Sequence, residues 1–229
     1  TPSVQRFSPF EPSAAYSPAT TGGSGYFNGS TDYLTVANNT AFDFGSGDFT
    51  IEAWVYLTTS TAGDKQIYGK FSGNVGPISF CINSSNSLAY YLSSTGSSWN
   101  IASNIAGGTV ALNTWTHVAL VRSGTTFTPY VNGVAGTTTT SSASLASNSS
   151  GVSTGAATAS AVVNYFPGYI EDLRIVKGTA VYTAAFTPPT APLTAVTNTS
   201  LLLNFTNAGI VDSAMQNDLM TAGNAQVST

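Results

Sequence analysis

Apolar side chains recur at every second position in short stretches of this chain of 229 residues. In residues 49–57, the apolar positions that share one face are Phe49, Ile51, Ala53, Val55 and Leu57. Residues 87–92 repeat the pattern with Leu88, Tyr90 and Leu92. Because successive side chains of a β-strand point to opposite faces, this period predicts strands that bury one face. Helical periodicity is weak, and the best helical candidate is a single turn near residues 181–185.

Turn residues separate the strand candidates at short intervals. Residues 115–122 and 127–131 are two candidates joined by a short polar stretch. The dipeptide Asn132-Gly133 follows them and favours a tight hairpin, because both central residues of a type I′ turn need a positive φ. Residues 169–176 and 201–205 are further candidates. Short strands at about 8–12-residue spacing are typical of an all-β fold in which two antiparallel sheets pack as a β-sandwich.

Charge is scarce in the sequence, which excludes some classes of partner. Charged residues make up 7% of the chain, against about 25% in an average soluble domain. A total of six lysines and arginines cannot line a phosphate-binding stripe, so no nucleic-acid partner is expected. The apolar runs are far shorter than the roughly 20 residues that cross a bilayer, so no membrane insertion is expected. The single cysteine, Cys81, is expected to be a small buried hydrophobe.

Composition also indicates how the chain is organised into an arm and a domain. Residues 1–23 hold four of its ten prolines and are expected to form an extended N-terminal arm or linker. Residues 24–229 are expected to fold as a single domain. Within that domain, residues 136–161 are almost wholly Gly, Ala, Ser and Thr, which predicts a long loop or a weakly specified strand outside the core.

Two aromatic residues are candidates for binding a ligand. Trp99 lies in a polar stretch, residues 97–100, and is the best single candidate for exposure. Tyr91 has the opposite parity to Leu88, Tyr90 and Leu92, so it is expected on the other face of its strand. Exposed aromatic rings bind sugars by stacking, supported by a few hydrogen bonds. The alternative is that these rings only pack in the core.

The densest acidic pair of the chain interrupts a strand candidate. Ile170 and Leu173 lie three positions apart on either side of Glu171 and Asp172, which breaks strict alternation. A β-bulge at 171–172 would restore it and turn the two carboxylates toward one edge.

Carboxylate oxygens are ligands for Ca²⁺. Asp32, Glu171 and Asp172 are therefore candidate calcium ligands, and no other cofactor is expected. The alternative is that Glu171 or Asp172 pairs with Arg174 or Arg122 and holds the two sheets in register.

Catalytic signals are weak. Hydrolysis of a glycan needs two carboxylates that flank the scissile bond, and no two acidic residues lie two positions apart on one strand candidate. The single histidine, His117, lies in a strand candidate, and no Gly-x-Ser-x-Gly turn accompanies it. The chain is therefore expected not to be an enzyme.

Four stretches together resemble the laminin-G-like branch of the concanavalin-A-like jelly rolls. They are residues 25–36 (GYFNGSTDYLTV), 47–55 (GDFTIEAWV), 115–122 (WTHVALVR) with 130–133 (YVNG), and 166–175 (FPGYIEDLRI). The resemblance implies a jelly roll of the kind found in lectins and glucanases. Some members of this family bind calcium. Asn28 stands where the family usually has aspartate, and Glu171 where aspartate is common.

Residues 177–189 (KGTAVYTAAFTPP) resemble a version of the domain found in structural proteins of tailed bacteriophages. This implies a non-catalytic decoration protein of a capsid, tail or fibre, located at the virion surface. Its partners would be other virion structural proteins, copies of itself and surface glycans, and residues 200–229 would link it to a neighbouring unit. The alternative is a carbohydrate-binding adhesin module of an extracellular bacterial protein.

Overall fold

A computed structural model describes Pro9 and residues 23–205, 212–214, 217, 219–223 and 226–228. The predicted arm, residues 1–23, lies outside the described residues except for Pro9 and Gly23. The described residues form one short 3-10 helix, Thr40–Phe42, and the following strands: β1 (Ser24–Asn28), β2 (Tyr33–Val36), β3 (Phe49–Leu57), β4 (Lys65–Ser72), β5 (Val75–Ile82), β6 (Ser87–Leu92), β7 (Ala102–Thr109), β8 (Trp115–Ser123), β9 (Thr126–Val131), β10 (Val134–Ala135), β11 (Thr139–Thr140), β12 (Val152–Thr154), β13 (Ala157–Thr158), β14 (Val162–Val163), β15 (Pro167–Lys177), β16 (Thr199–Leu203), β17 (Leu219–Ala222) and β18 (Gln226–Ser228).

The strands form two large antiparallel sheets, which confirms the predicted β-sandwich. The first sheet has nine strands in the order β10-β9-β8-β3-β15-β1-β18, with β11 also paired to β9 and β16 to β15. The second sheet has seven strands in the order β17-β2-β12-β4-β5-β6-β7. The described C-terminal strands β16, β17 and β18 pair with strands of this same sandwich. The predicted link from residues 200–229 to a neighbouring unit stays a prediction.

The core lies between the two sheets and follows the alternation in the sequence. On β3, the five alternate residues from Phe49 to Leu57 are 0% exposed. They belong to one apolar cluster with residues of the second sheet, among them Ile78, Phe80 and Leu88. Burial of apolar area at roughly 25 cal/mol per Å² makes this shared layer the main source of stability.

Two local predictions about the backbone are confirmed. Asn132 and Gly133 have φ values of 49° and 76°, and β9 pairs with β10 across them. In β15 the register with β3 shifts between Glu171 and Arg174, and Asp172 has φ 51°, which is the predicted bulge. β15 lies inside the first sheet between β3 and β1, and Glu171 and Asp172 are both fully buried.

Two segments differ from the sequence-based expectation. Residues 136–161 contribute β12 to the interior of the second sheet, between β2 and β4, and Leu145 and Val152 join the core. Residues 181–185 form no helical turn. They belong instead to an irregular segment, residues 178–198, which we call the strap. Tyr182 and Phe186 of the strap pack on the outer face of the first sheet, against His117.

Candidate functional site

Tyr91 lies on the outer face of the second sheet, as its parity predicts. Its neighbours Tyr90 and Leu92 are fully buried in the core, whereas Tyr91 is half-buried. In the register of β5 with β6, Tyr91 lies opposite Ser79. The flat outer surface of β4, β5 and β6 therefore carries this ring.

Trp99 reaches the same surface from the loop that follows β6. The loop is built on polar side chains: Ser93 Oγ accepts from the backbone N–H of Gly96 at 2.8 Å, and Asn100 Oδ1 accepts from that of Ser94 at 3.0 Å. These bonds fold the loop back over the sheet. The Trp99 ring lies 5.5 Å from the Tyr91 ring, centroid to centroid, with 54° between their planes.

Phe71 completes the group, and sequence analysis did not single it out. Its ring lies 6.3 Å from that of Trp99, edge-on at 87°. The register of β4 with β5 shifts between Lys70 and Ser72, which disturbs the alternation from which the face of Phe71 could have been predicted. We call Phe71, Tyr91 and Trp99 the aromatic platform.

Gly69 provides the space that Phe71 occupies. A Cβ atom at Gly69 would lie 2.3 Å from the Phe71 ring and 2.8 Å from Gln66 Nε2. Beside it, Ser79 Oγ donates to Gln66 Oε1 at 3.1 Å. The floor beneath the platform is thus closely packed and hydrogen-bonded, which fixes the rings that stand on it.

Asp64 lies at one side of the platform. Its side chain comes within hydrogen-bonding reach of the Tyr91 hydroxyl and the Cys81 thiol. Burial, and then the neighbouring Cys81 and Asp64 side chains, raise the pKa of Tyr91 above its usual value. Burial and Asp64 also raise the pKa of the Cys81 thiol. Cys81 is fully buried and unpaired, which confirms that it is packed as a small hydrophobe.

A second cluster lies beneath the strap, on the outer face of the first sheet. Glu52 is fully buried and accepts from Arg174 Nη2 at 2.6 Å and from the Tyr182 hydroxyl at 2.7 Å. His117 Nε2 lies 3.2 Å from Glu52 Oε2. Burial acts to raise the pKa of Glu52, but the His117 hydrogen bond and the Arg174 charge outweigh it and hold the pKa below its usual value.

The structure thus pairs Arg174 with Glu52, which sequence analysis did not single out as its partner. Arg122 donates to backbone carbonyl oxygens, including those of Gly45 and Gly124. Arg174 therefore forms an ion pair with Glu52, and Arg122 is held by backbone carbonyl oxygens.

Asp172 is held by Leu193 of the strap and by Asn204, which follows β16. Its carboxylate accepts from the backbone N–H of Leu193 at 2.8 Å and from Asn204 Nδ2 at 2.9 Å. Burial raises the pKa of Asp172 to about 7, although both hydrogen bonds act in the opposite direction. The carboxylate is therefore engaged by protein groups inside the fold.

Asp32 lies apart, in the turn between β1 and β2. It accepts from the backbone N–H of Asn28 at 3.1 Å and from the Thr31 hydroxyl at 3.0 Å. Within the described residues, no three Asp, Glu, His or Cys side chains form a group that could hold a metal ion. Asp32, Glu171 and Asp172 do not form such a group, and calcium binding by any of them stays a prediction.

The sequence and the fold both match known proteins. A family model, Laminin_G_3, described as the concanavalin A-like lectin/glucanases superfamily, matches residues 28–183. No curated protein sequence matches the chain. In the described residues, no helix has the length and apolar character needed to cross a membrane.

Solved structures share the sandwich at low sequence identity. A provisionally assigned carbohydrate-binding protein from Bacteroides ovatus superposes with TM-score 0.70 at 17% identity, over 90% of this chain and 59% of that one. The heptameric SAP-like pentraxin of Limulus polyphemus gives 0.61 at 15%, over 93% and 97%. The CBM40 domain of Ruminococcus gnavus IT-sialidase, bound to α2,6-sialyllactose, gives 0.54 at 12%, over 70% and 93%. The chain thus spans little more than half of the first of these proteins, and identities this low establish the fold alone.

Proposed function

Since the chain belongs to the concanavalin A-like lectin/glucanases superfamily, we propose that it is a non-catalytic glycan-binding module whose site is the aromatic platform. The observation that carries this proposal is the pairing of two half-buried rings, Tyr91 and Trp99, with centroids 5.5 Å apart on one open sheet face. Phe71 supports Trp99 from the side.

Saccharide rings suit such a surface. Their C–H faces stack on aromatic rings, while their hydroxyl groups form hydrogen bonds around the contact. The loop that carries Trp99 supplies neutral polar groups for this purpose, since Ser97, Ser98 and Asn100 are exposed. Binding through stacking and neutral hydrogen bonds depends little on salt, in contrast to ionic binding.

The placement of the acids supports a role without catalysis. A glycosidase needs two carboxylates on either side of the scissile bond. Glu52 and Asp172 lie close enough to influence each other, but both are fully buried. A saccharide cannot reach them while Tyr182 of the strap and Asn204 occupy their oxygens.

The structural neighbours support the same class of function. One is provisionally assigned as carbohydrate-binding, and another is a carbohydrate-binding domain with sialyllactose bound. These facts concern those proteins. They support the proposal because they show that sandwiches of this shape carry saccharide sites.

A glycan array tests this proposal. We expect the chain to bind at least one group of glycans, and we expect Trp99→Ala and Tyr91→Ala to weaken that binding by about 10-fold or more, as for other central aromatic anchors. Trp115→Ala is the matched control, because Trp115 is a half-buried tryptophan on the first sheet. Absence of any bound glycan, or platform variants that both bind as tightly as the unaltered protein, would refute the proposal.

We further propose that this module belongs to a structural protein at the surface of a tailed-bacteriophage virion, with other virion proteins and copies of itself as partners. The resemblance of residues 177–189 to such proteins supports this role. Residues 178–189 lie in the strap, so the resemblance includes part of the segment that packs on the outer face of the first sheet.

Purified particles would test the virion role. A host lysate that carries the gene should yield particles in which mass spectrometry finds this chain at a fixed ratio to the major capsid protein. Recovery of the chain only from a bacterial surface fraction, free of particles, would contradict it and favour the adhesin alternative.

A further inference from the structure

We infer that the aromatic platform takes neutral saccharides and discriminates against saccharides that carry a carboxylate or a sulfate group. The inference deepens the proposed function and rests on it. It follows from the charges around Tyr91 and Trp99, which are fixed by contacts inside the fold.

A carboxylate lies beside the platform. Asp64 immediately precedes β4, and its side chain interacts with the Tyr91 hydroxyl and the Cys81 thiol. It is partly exposed, so a ligand that stacks on Tyr91 would come close to it. An anionic ligand group placed there would meet like charge, and like charges brought together in an interface cost binding free energy.

No cation of the described residues is free to bind an anionic ligand group. Within residues 23–205, every lysine and arginine side chain already donates to a protein acceptor: Lys70 and Arg174 to carboxylates, and Lys65, Arg122 and Lys177 to backbone carbonyl oxygens. Proteins commonly recognise carboxylate and sulfate groups through charge-assisted hydrogen bonds from arginine or lysine. Among the described residues, no lysine or arginine side chain is free to donate to a ligand at the platform.

Lys65 is the cation closest to Asp64 along the chain, and the two charges interact, but its ammonium group is held by acceptors of the protein. It is fully buried. Its Nζ donates to the Asn83 carbonyl oxygen at 2.6 Å and to Asn86 Oδ1 at 3.1 Å. Release of Lys65 toward a ligand would leave both acceptors without this donor, so Lys65 is not free to bind an anion.

Neutral donors and acceptors remain around the rings. Asn100 Nδ2 donates to Ser94 Oγ at 2.8 Å, and the neighbouring hydroxyls of Ser97 and Ser98 are exposed. Together with the Asp64 oxygens, these groups can accept from and donate to sugar hydroxyls. The net charge of −4 adds a weak repulsion toward anionic glycans at longer range.

Matched pairs of glycans test the inference. The neutral glycan bound most tightly on an array is compared with its sialylated and 6-sulfated derivatives by titration calorimetry at 20 mM and 500 mM NaCl. We expect the derivatives to bind about 10-fold more weakly at low salt, with a smaller difference at high salt because salt screens exposed charges.

A variant isolates the contribution of Asp64. Asp64→Asn removes the charge but keeps an acceptor oxygen for Tyr91. We expect it to bring the derivatives to within about threefold of the neutral glycan, consistent with the removal of a like-charge contact. Asp48→Asn is the matched control, since it makes the same change in net charge where Asp48 Oδ1 accepts from the Gly124 N–H.

The outcomes separate the two proposals. Equal or tighter binding of the sialylated derivative by the unaltered protein would overturn this inference and leave glycan binding intact. An equal effect of Asp64→Asn and Asp48→Asn would also overturn it, because the discrimination would then come from net charge alone. Absence of any bound glycan would overturn glycan binding itself, and this inference with it.

Discussion

Gly69 is the position where one added methyl group should disturb the aromatic platform with least effect on the core. In Gly69→Ala, the new Cβ atom would lie 2.3 Å from the Phe71 ring, so that ring must withdraw by about 1.1 Å to reach ordinary contact near 3.4 Å. Overpacking of this kind typically costs about 1–3 kcal/mol of stability. Phe71 contacts Trp99 edge-on, so its displacement should also move the ligand-binding ring.

Two measurements follow on the same protein. Denaturant unfolding should show a free energy of unfolding lower by about 1–3 kcal/mol, and calorimetry with the glycan found on the array should show an affinity lower by about 10-fold. Gly47→Ala is the control, because its Cβ atom would meet its nearest atom, the Phe44 carbonyl oxygen, at 3.4 Å. Unchanged stability and unchanged affinity in Gly69→Ala would refute the packing described for Gly69 and Phe71.

Three further predictions concern the buried cluster and a turn. Asp172 keeps its proton up to about pH 7 in the folded state but releases it near pH 3.8 when unfolded. Its contribution to the free energy of unfolding therefore falls as the pH rises from about 4 to about 7. In urea unfolding, Asp172→Asn should flatten that part of the dependence of stability on pH. Glu52→Gln leaves the Arg174 charge buried without its anion, and thermal and denaturant unfolding should show a loss of about 3–5 kcal/mol; a loss below about 1 kcal/mol would contradict the described pairing. Gly133→Ala would place a Cβ atom 1.7 Å from the Phe186 carbonyl oxygen, at a residue with φ 76°. It should therefore lower the melting temperature and make the strap accessible to limited proteolysis. An unchanged cleavage pattern would show that the strap does not depend on this contact.

Strict alternation made most of the fold predictable from the sequence. β3 and β6 were predicted because each buries one face and leaves the other face to polar or aromatic residues. The β9–β10 turn was predictable because Asn132-Gly133 supplies two positive φ values locally. In each case the signal is contained in fewer than about ten consecutive residues, which is the range over which strand patterns act.

β12 was not predictable, because its sequence carries no local strand pattern. It has three residues, Val152–Thr154, in a stretch of Gly, Ala, Ser and Thr that has little intrinsic preference for a strand. Its place in the sheet depends on its pairing with β2 on one side and β4 on the other. Contacts between residues so distant along the chain leave no local pattern.

The candidate ligand site was partly predictable. Parity placed Tyr91 on the outer face, and a polar loop indicated that Trp99 is accessible. Their contact depends on the fold of the loop, which Ser93 and Asn100 fix through hydrogen bonds. Phe71 was missed because a register shift in β4 separates it from the alternating pattern.

The arrangement of the acidic residues was also only partly predictable from the sequence. The bulge at 171–172 was predictable from the spacing of the apolar residues around it. The pairing of Glu52 with Arg174 was not, because these residues are 122 positions apart and are buried by the strap, whose irregular path follows no period.

The three tryptophans of the chain, Trp54, Trp99 and Trp115, allow one direct test of the site. Trp99 is on the second sheet with Tyr91, whereas Trp54 of β3 and Trp115 of β8 lie in the first sheet, opposite His117 and Tyr56 respectively. In a titration of ¹⁵N-labelled protein with the bound neutral glycan, we expect the indole N–H signal of Trp99 to shift and those of Trp54 and Trp115 to stay in place. A shift of Trp54 or Trp115 with Trp99 unchanged would contradict the assignment of the aromatic platform as the glycan-binding site.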